Sequence, residues 1–155
     1  MMNKVLVFDM DGTIADLYKV DNWMADLRAY NPRPYEEARP MYDMETMAEL
    51  LMILQAQSWK VEVTTWLSKD STKAYDDEVK RAKLDWLAKH HFPFDEIHLV
   101  GYGTPKASCT DHLGGIQFLF DDNAEVRREW ESNPNRFSVD ATNNIMEKLF
   151  ELLVD

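Results

Sequence analysis

The stretch Val5-Leu6-Val7-Phe8-Asp9-Met10-Asp11-Gly12-Thr13 decides how the rest of the chain is read. Four consecutive apolar residues predict a buried strand, and two carboxylates follow two positions apart just past its end. In an open parallel sheet the carboxyl ends of the strands form the crevice where ligands bind. Strand alternation sends residues 9 and 11 to the same side. Gly12 lets the backbone approach a ligand closely, and Thr13 brings a hydroxyl. Downstream, the apolar run Ile116-Gln117-Phe118-Leu119-Phe120 is followed by Asp121-Asp122. Two carboxylate clusters at the same end of two strands would make a site for a hard cation.

Working outward, five short apolar runs predict strands at 4–8, 61–65, 97–100, 116–120 and 136–139. Helical periodicity predicts helices between them. One covers 44–57, with apolar residues at 44, 47, 50, 51 and 54 and Asp43 as its N-cap. Others cover 71–90, 123–131 and 141–153. Strands alternating with helices imply a doubly wound parallel α/β sheet in one domain spanning 1–155. The exception is the segment 15–42, which holds a short helical pattern at 20–30, then Asn31-Pro32-Arg33-Pro34 and Arg39-Pro40. A βα connection usually takes two to six residues, so this is an insertion at the ligand-binding end.

Composition narrows the function classes. With 155 residues, 45% of them hydrophobic and 12% aromatic, the chain is long enough for one well-formed core. No stretch approaches the ~20 apolar residues that span a bilayer. The first strand starts at residue 4 with no separate cleavable segment before it, so no signal peptide is expected. The single Cys109 has no internal disulfide partner, and a cytoplasmic location is the simplest expectation. A net charge of −11 disfavours duplex nucleic acid, which calls for a basic face. It leaves room for a small phosphorylated substrate in a cleft with its own cations.

Asp9-Met10-Asp11-Gly12-Thr13 resembles, without a substitution, the DxDGT signature of phosphatases in the haloacid dehalogenase (HAD) superfamily. Later motifs follow in the same order. The resemblance implies a HAD-type Rossmann-like fold of about five strands, with 15–42 as a small cap. It also implies a phosphoryl-binding hydroxyl at the end of the second strand, in Val63-Thr64-Thr65-Trp66. Thr65 shares the alternation phase of Val61 and Val63 and lies nearer the tip, so it is preferred over Thr64. The lysine of that family is assigned to Lys106, in Gly101-Tyr102-Gly103-Thr104-Pro105-Lys106. Lys83, in Lys83-Leu84-Asp85-Trp86, is the competitor by likeness to the 5′(3′)-deoxyribonucleotidases, with a solvated helix residue as the plainer reading. Asp121 and Asp122 match the acidic pair of the fourth motif, and Asp122 is preferred as direct metal ligand. One of the pair also suits the cap of the following helix.

What the resemblance implies is Mg²⁺-dependent hydrolysis of a small phosphate monoester through an aspartyl-phosphate. Asp9 is then nucleophile and Asp11 acid and base. Mg²⁺ is held by Asp9, the Asp11 carbonyl and the Asp121-Asp122 pair. Thr65, Lys106 and the amides of Met10 and Gly12 bind the phosphoryl oxygens. A nucleoside or deoxynucleoside monophosphate is the leading substrate expectation, ahead of a sugar phosphate or a nucleic-acid end. A phosphoacceptor module and a non-catalytic binding module are the rivals from other classes. Receivers, however, carry the adjacent acidic pair early and the acceptor late, the reverse of this order. Asp16 fits either the site or the start of the cap, and Tyr18, Trp23, Tyr30, Tyr35 and Trp66 suit either ring stacking or cap packing. A small cap leaves the mouth open unless a second copy closes it, which admits a homodimer. The histidines at 90, 91, 98 and 112 show no zinc-ligand spacing along the chain, and nothing activates Cys109 as a nucleophile.

Overall fold

The computed structural model describes residues 2–153. Five parallel strands form its sheet: β1 (Lys4–Phe8), β4 (Trp59–Trp66), β5 (Glu96–Val100), β6 (Ile116–Asp121) and β7 (Arg136–Asp140). Their order across the sheet is β5-β4-β1-β6-β7. β1 is therefore central, with Phe8 paired to Val63 on one side and to Phe120 on the other. Chain connections leave β1 in opposite directions on its two sides, so its carboxyl end is the switch point where doubly wound sheets bind ligands. Asp9 stands there, its amide bonded to the carbonyl of Phe120. This is the α/β architecture that the sequence predicted.

Helices cover both faces. On one side lie α3 (Met44–Ala56), α4 (Lys73–Lys89) and α7 (Ile145–Leu153). They bury Leu6, Phe8, Val61 and Val63 against Met47, Leu51, Leu54, Trp86, Ile145 and Leu149. On the other lie α5 (Lys106–Thr110) and α6 (Ala124–Glu131), where Val5, Val7 and Leu119 pack on Ala107 and Trp130. Near-continuous apolar strands are what a sheet covered on both faces requires. Caps set the helix starts. The Asp43 carboxylate accepts from the amides of Glu45 and Thr46, Thr72 caps α4, and Asn123 caps α6. The predicted cap role for Asp121 or Asp122 thus belongs to Asn123. The last helix begins at Ile145 rather than 141, because Asp140 holds residues 142 and 143 in a turn.

The insertion is built on a two-stranded antiparallel ribbon, β2 (Ala15–Asp16) with β3 (Arg39–Pro40). Between these strands come α1 (Trp23–Arg28) and α2 (Arg33–Glu37). Leu17 and Tyr35 of this segment pack with Leu67, Tyr75, Val79 and Ala82 of the body. These contacts hold the insertion over the end of β1. Among the described residues, no helix is long and apolar enough to cross a membrane.

Candidate active site

The turn after β1 is tied by its own backbone. The Met10 carbonyl accepts from the amides of Thr13, Ile14 and Ala15, and the Gly12 amide donates to Ala15. Gly12 has φ +81°, and a Cβ there would strike the carboxylate of Asp122 and the ring of Tyr18. Only glycine satisfies both the conformation and the space. The early and late acidic motifs therefore meet at this residue.

Asp9, Asp121 and Asp122 each offer a carboxylate oxygen, and these oxygens lie within 4.8 Å of one another. Lys106, from the start of α5, stands among them: its Nζ is 2.9 Å from Asp9 Oδ1 and 2.7 Å from Asp121 Oδ2. The Thr13 hydroxyl donates to the other oxygen of Asp9 at 3.1 Å. Burial pulls the Lys106 ammonium down, but Asp9 and Asp121 outweigh it and hold it above the usual lysine value. Burial, the Asp9 charge and their mutual repulsion push Asp121 up to about 6 and Asp122 to about 7. Asp121 has both oxygens engaged, by Lys106 and by the amide of Asn123 at 2.9 Å. Asp122 is free of the Lys106 and Asn123 contacts that engage Asp121.

These residues fit Mg²⁺ by their chemistry. Three carboxylates cluster around one site while the single ammonium of Lys106 pairs with two of them, leaving excess negative charge on hard oxygen donors. Asp9 and Asp122 would hold the ion, with Asp121 placed beside them by Lys106.

Asp11 lies at the same mouth, and its Oδ2 accepts from Lys83 Nζ at 3.0 Å. Burial raises its carboxyl above the ordinary range, against the pull of Lys83. The plainer reading of Lys83 as a solvated helix residue is corrected here: it is 1% exposed. Its ammonium also donates to Thr65 Oγ1 and the Trp66 carbonyl and sits over the ring of Tyr35. Tertiary packing of the insertion against α4 covers that helix face, which periodicity alone leaves ambiguous.

Thr65 is also repositioned. Its phase with Val61 and Val63 points it at α4, where it accepts from Lys83, whereas Asp9 shares the opposite face with Val5 and Val7. Thr65 does not line the cleft, so the preference for it is not met; Thr64, the alternative, follows the Phe8 partner Val63 and so stands on the face of Asp9. Gly12 is likewise no phosphoryl donor, since its amide is bonded to Ala15. Met10 is a core residue, 2% exposed, and offers the site only its main chain.

The acidic centre opens into a cleft of about 280 Å³. Asp9, Asp11, Lys106, Asp121 and Asp122 form its floor, and Leu17, Tyr18, Trp23, Leu27 and Tyr35 of the insertion form one wall. Trp66, Leu67, Ser68, Lys69 and Tyr102 form another. Tyr18 meets Trp23 edge-on at 5.0 Å, and Trp66 lies 5.1 Å from Tyr102. The Trp66 indole is fixed by its bond to the Thr104 carbonyl at 2.8 Å. Four of the five aromatics noted in the sequence therefore line the cleft. Tyr30 does not; it packs on Tyr75. Asp16 also lies outside, paired with Lys19 at 3.6 Å on the rim of a separate concavity. Sequence reasoning missed Tyr102, Ser68 and Lys69. The signal for Tyr102 was an aromatic within the same glycine-bounded loop that delivers Lys106. Burial raises the Cys109 thiol, which keeps it a poor nucleophile.

No family model matches the chain, and no curated protein matches it. Among solved structures, one similar chain is a D,D-heptose 1,7-bisphosphate phosphatase from Burkholderia thailandensis, 14% identical, with a TM-score of 0.40 over 99% of this chain and 100% of that one. A likeness that distant does not bear on function. Fold and site together define a doubly wound α/β protein with a carboxylate–lysine centre at the switch point of its sheet.

Proposed function

We propose that the protein is a Mg²⁺-dependent phosphomonoester hydrolase of the HAD type, working through an aspartyl-phosphate on Asp9. The observation that carries this reading is the meeting of Asp9, Lys106, Asp121 and Asp122 at the floor of one cleft. An anionic nucleophile attacks an anionic ester only if the repulsion between them is screened. Lys106 supplies one charge, and Mg²⁺, when bound by Asp9 and Asp122, supplies Lewis-acid screening of the phosphoryl oxygens.

Asp9 forms the bond to phosphorus as the ester oxygen leaves, which is covalent catalysis by a carboxylate. Asp11, whose raised carboxyl favours the protonated form, gives its proton to that leaving oxygen. The same carboxylate then takes a proton from the water that attacks the phosphoryl-aspartate, releasing phosphate and restoring Asp9. Lys106 stays cationic and holds the Asp9 oxygen in place throughout.

The finer reading is a nucleoside or deoxynucleoside monophosphate as substrate. It is supported by the aromatic lining of the cleft, Tyr18 with Trp23 and Trp66 with Tyr102, which supplies apolar surface for a ring near the acidic residues. Release of inorganic phosphate from p-nitrophenyl phosphate, nucleoside monophosphates and sugar phosphates, with and without Mg²⁺, tests both levels. Turnover of the nucleotides above the sugars is the expected result. A preference for sugar phosphates removes the substrate class, and a flat panel removes the enzyme.

A further inference from the structure

We propose that Trp66 is a positioning residue for Lys106, holding that ammonium at Asp9 through both its ring and its indole N–H. Its catalytic consequence rests on the hydrolase reading, whereas its hold on Lys106 belongs to the resting protein.

Lys106 needs such a hold. It is the first residue of α5, a helix of five residues with no side chain capping its start. So short a helix is marginal by itself, and its place must be set from outside. The far side of α5 is tied down by Arg136, which donates to the Ala107 carbonyl, and by the bond from the Thr110 hydroxyl to Gln117. The near side continues from the loop 101–105. There the Thr104 amide and hydroxyl both donate to the Gly101 carbonyl, at 3.1 and 2.7 Å. Those bonds shape the loop without attaching it to the sheet. The attachment comes from Trp66, whose indole N–H donates to the Thr104 carbonyl at 2.8 Å, just ahead of Lys106.

The ring acts on the charge itself. Trp66 closes β4, where the register pairs it with Val100. Alternation carries it to the face opposite Thr65, the side on which Val5, Val7 and Ala107 of α5 pack. Lys106 Nζ stands 5.4 Å from the centroid of its ring, inside the range of a cation–π contact. Asp9 and Asp121 bond the same nitrogen at 2.9 and 2.7 Å, and Lys106 is only 5% exposed. Shielding from water strengthens a cation–π contact. One side chain therefore sets both the backbone that delivers Lys106 and the place of its charge. A misplacement on the order of 1 Å in a reacting constellation costs about 10²-fold in rate.

The test compares Trp66→Leu, which loses ring and N–H, with Trp66→Phe, which keeps a ring face. Lysines of the whole protein are reductively methylated, and the modified sites are mapped by mass spectrometry. Lys106 stays protected in the wild type, is modified about tenfold faster or more in Trp66→Leu, and falls between in Trp66→Phe. Lys83, also buried, stays protected throughout and reports the intact fold. Kinetically, Trp66→Leu lowers kcat about tenfold or more for phosphate esters with and without a ring. Lys106 protected in both variants as in the wild type overturns the proposal, and so does a gain shared equally with Lys83. A rise in KM confined to ring-bearing esters, with kcat kept, also overturns it and leaves Trp66 as substrate surface alone. A wild type without activity sinks the hydrolase reading by itself, and the methylation contrast still decides this one.

Discussion

The Nζ of Lys83 lies 3.0 Å from Oδ2 of Asp11, joining residues 72 positions apart in the chain. The contact fixes the carboxyl proposed as acid and base, and it keeps that carboxyl from rising further. Replacing Lys83 with Met preserves bulk and removes the charge. The expected outcome is a fall in kcat of about tenfold or more at neutral pH through misplacement of Asp11. Asp11 then deprotonates only at higher pH, so the deficit in its base role shrinks as pH rises. A kcat–pH profile that superimposes on the wild type would take Lys83 out of the site.

Asp9 is the group to which every phosphoryl step is assigned, and Lys106 and Thr13 hold its two oxygens. Asp9→Asn keeps the shape and both neighbours while removing the anion. Phosphate release should drop by about 10⁴-fold or more, with circular dichroism and melting temperature little changed. Residual activity within tenfold of the wild type would assign the nucleophile elsewhere.

Acid and metal act on the same charges with opposite sign. Asp121 and Asp122 stand near 6 and 7 in the folded chain, above their ordinary value of 3.8. The folded state therefore binds more protons than the unfolded state across that window, and stability falls as pH rises through it. In EDTA the melting temperature should decline from pH 5 to pH 8 through these two groups. Mg²⁺ replaces the lost protons, so its stabilising shift should be larger at pH 8 than at pH 5. Calorimetric scans at the two pH values, with and without Mg²⁺, decide it; an equal shift at both contradicts the assignment of Asp122 as ligand.

Much of this was legible in the sequence because it is local. Val5 to Phe8 and Ile116 to Phe120 are apolar runs, and their order among helices specifies a parallel sheet with Asp9 at its switch point. The pairing of DxD with DD followed from both motifs ending strands of like direction. What escaped is non-local. Lys83 reads as an ordinary helix residue until the insertion covers it, and the phase that favours Thr65 over Thr64 is the one the register turns toward α4 rather than Asp9. The short elements β2, β3, α2 and α5 are too brief for periodicity to register. His98 joins two glutamates only through strand register.

The two aromatic pairs in the cleft lining make substrate choice testable without touching the acidic residues. Tyr102 is 58% exposed and packs on Trp66, so Tyr102→Ala removes one face of the cleft at little cost to the core. For a ring-bearing monophosphate, KM should rise about fivefold to tenfold with kcat nearly unchanged, the pattern of lost uniform binding. For a small ester without a second ring, both constants should stay put. Equal effects on the two substrates would mean that Tyr102 shapes the loop carrying Lys106 rather than meeting the substrate.

The last expectation concerns Gly12, which backs onto the Asp122 carboxylate. Gly12 combines φ +81° with no room for a Cβ beside Asp122 and Tyr18. Gly12→Ala forces a left-handed alanine and pushes the Asp122 carboxylate away from Asp9. Stability should fall on the order of 1–3 kcal/mol, and Mg²⁺ affinity should fall with it, because a displaced Asp122 no longer converges with Asp9. A purely local backbone strain would lower the melting temperature and leave metal affinity as it was. Measuring Mg²⁺ binding in the folded variant separates the two, and an unchanged affinity would mean that Gly12 serves the turn alone.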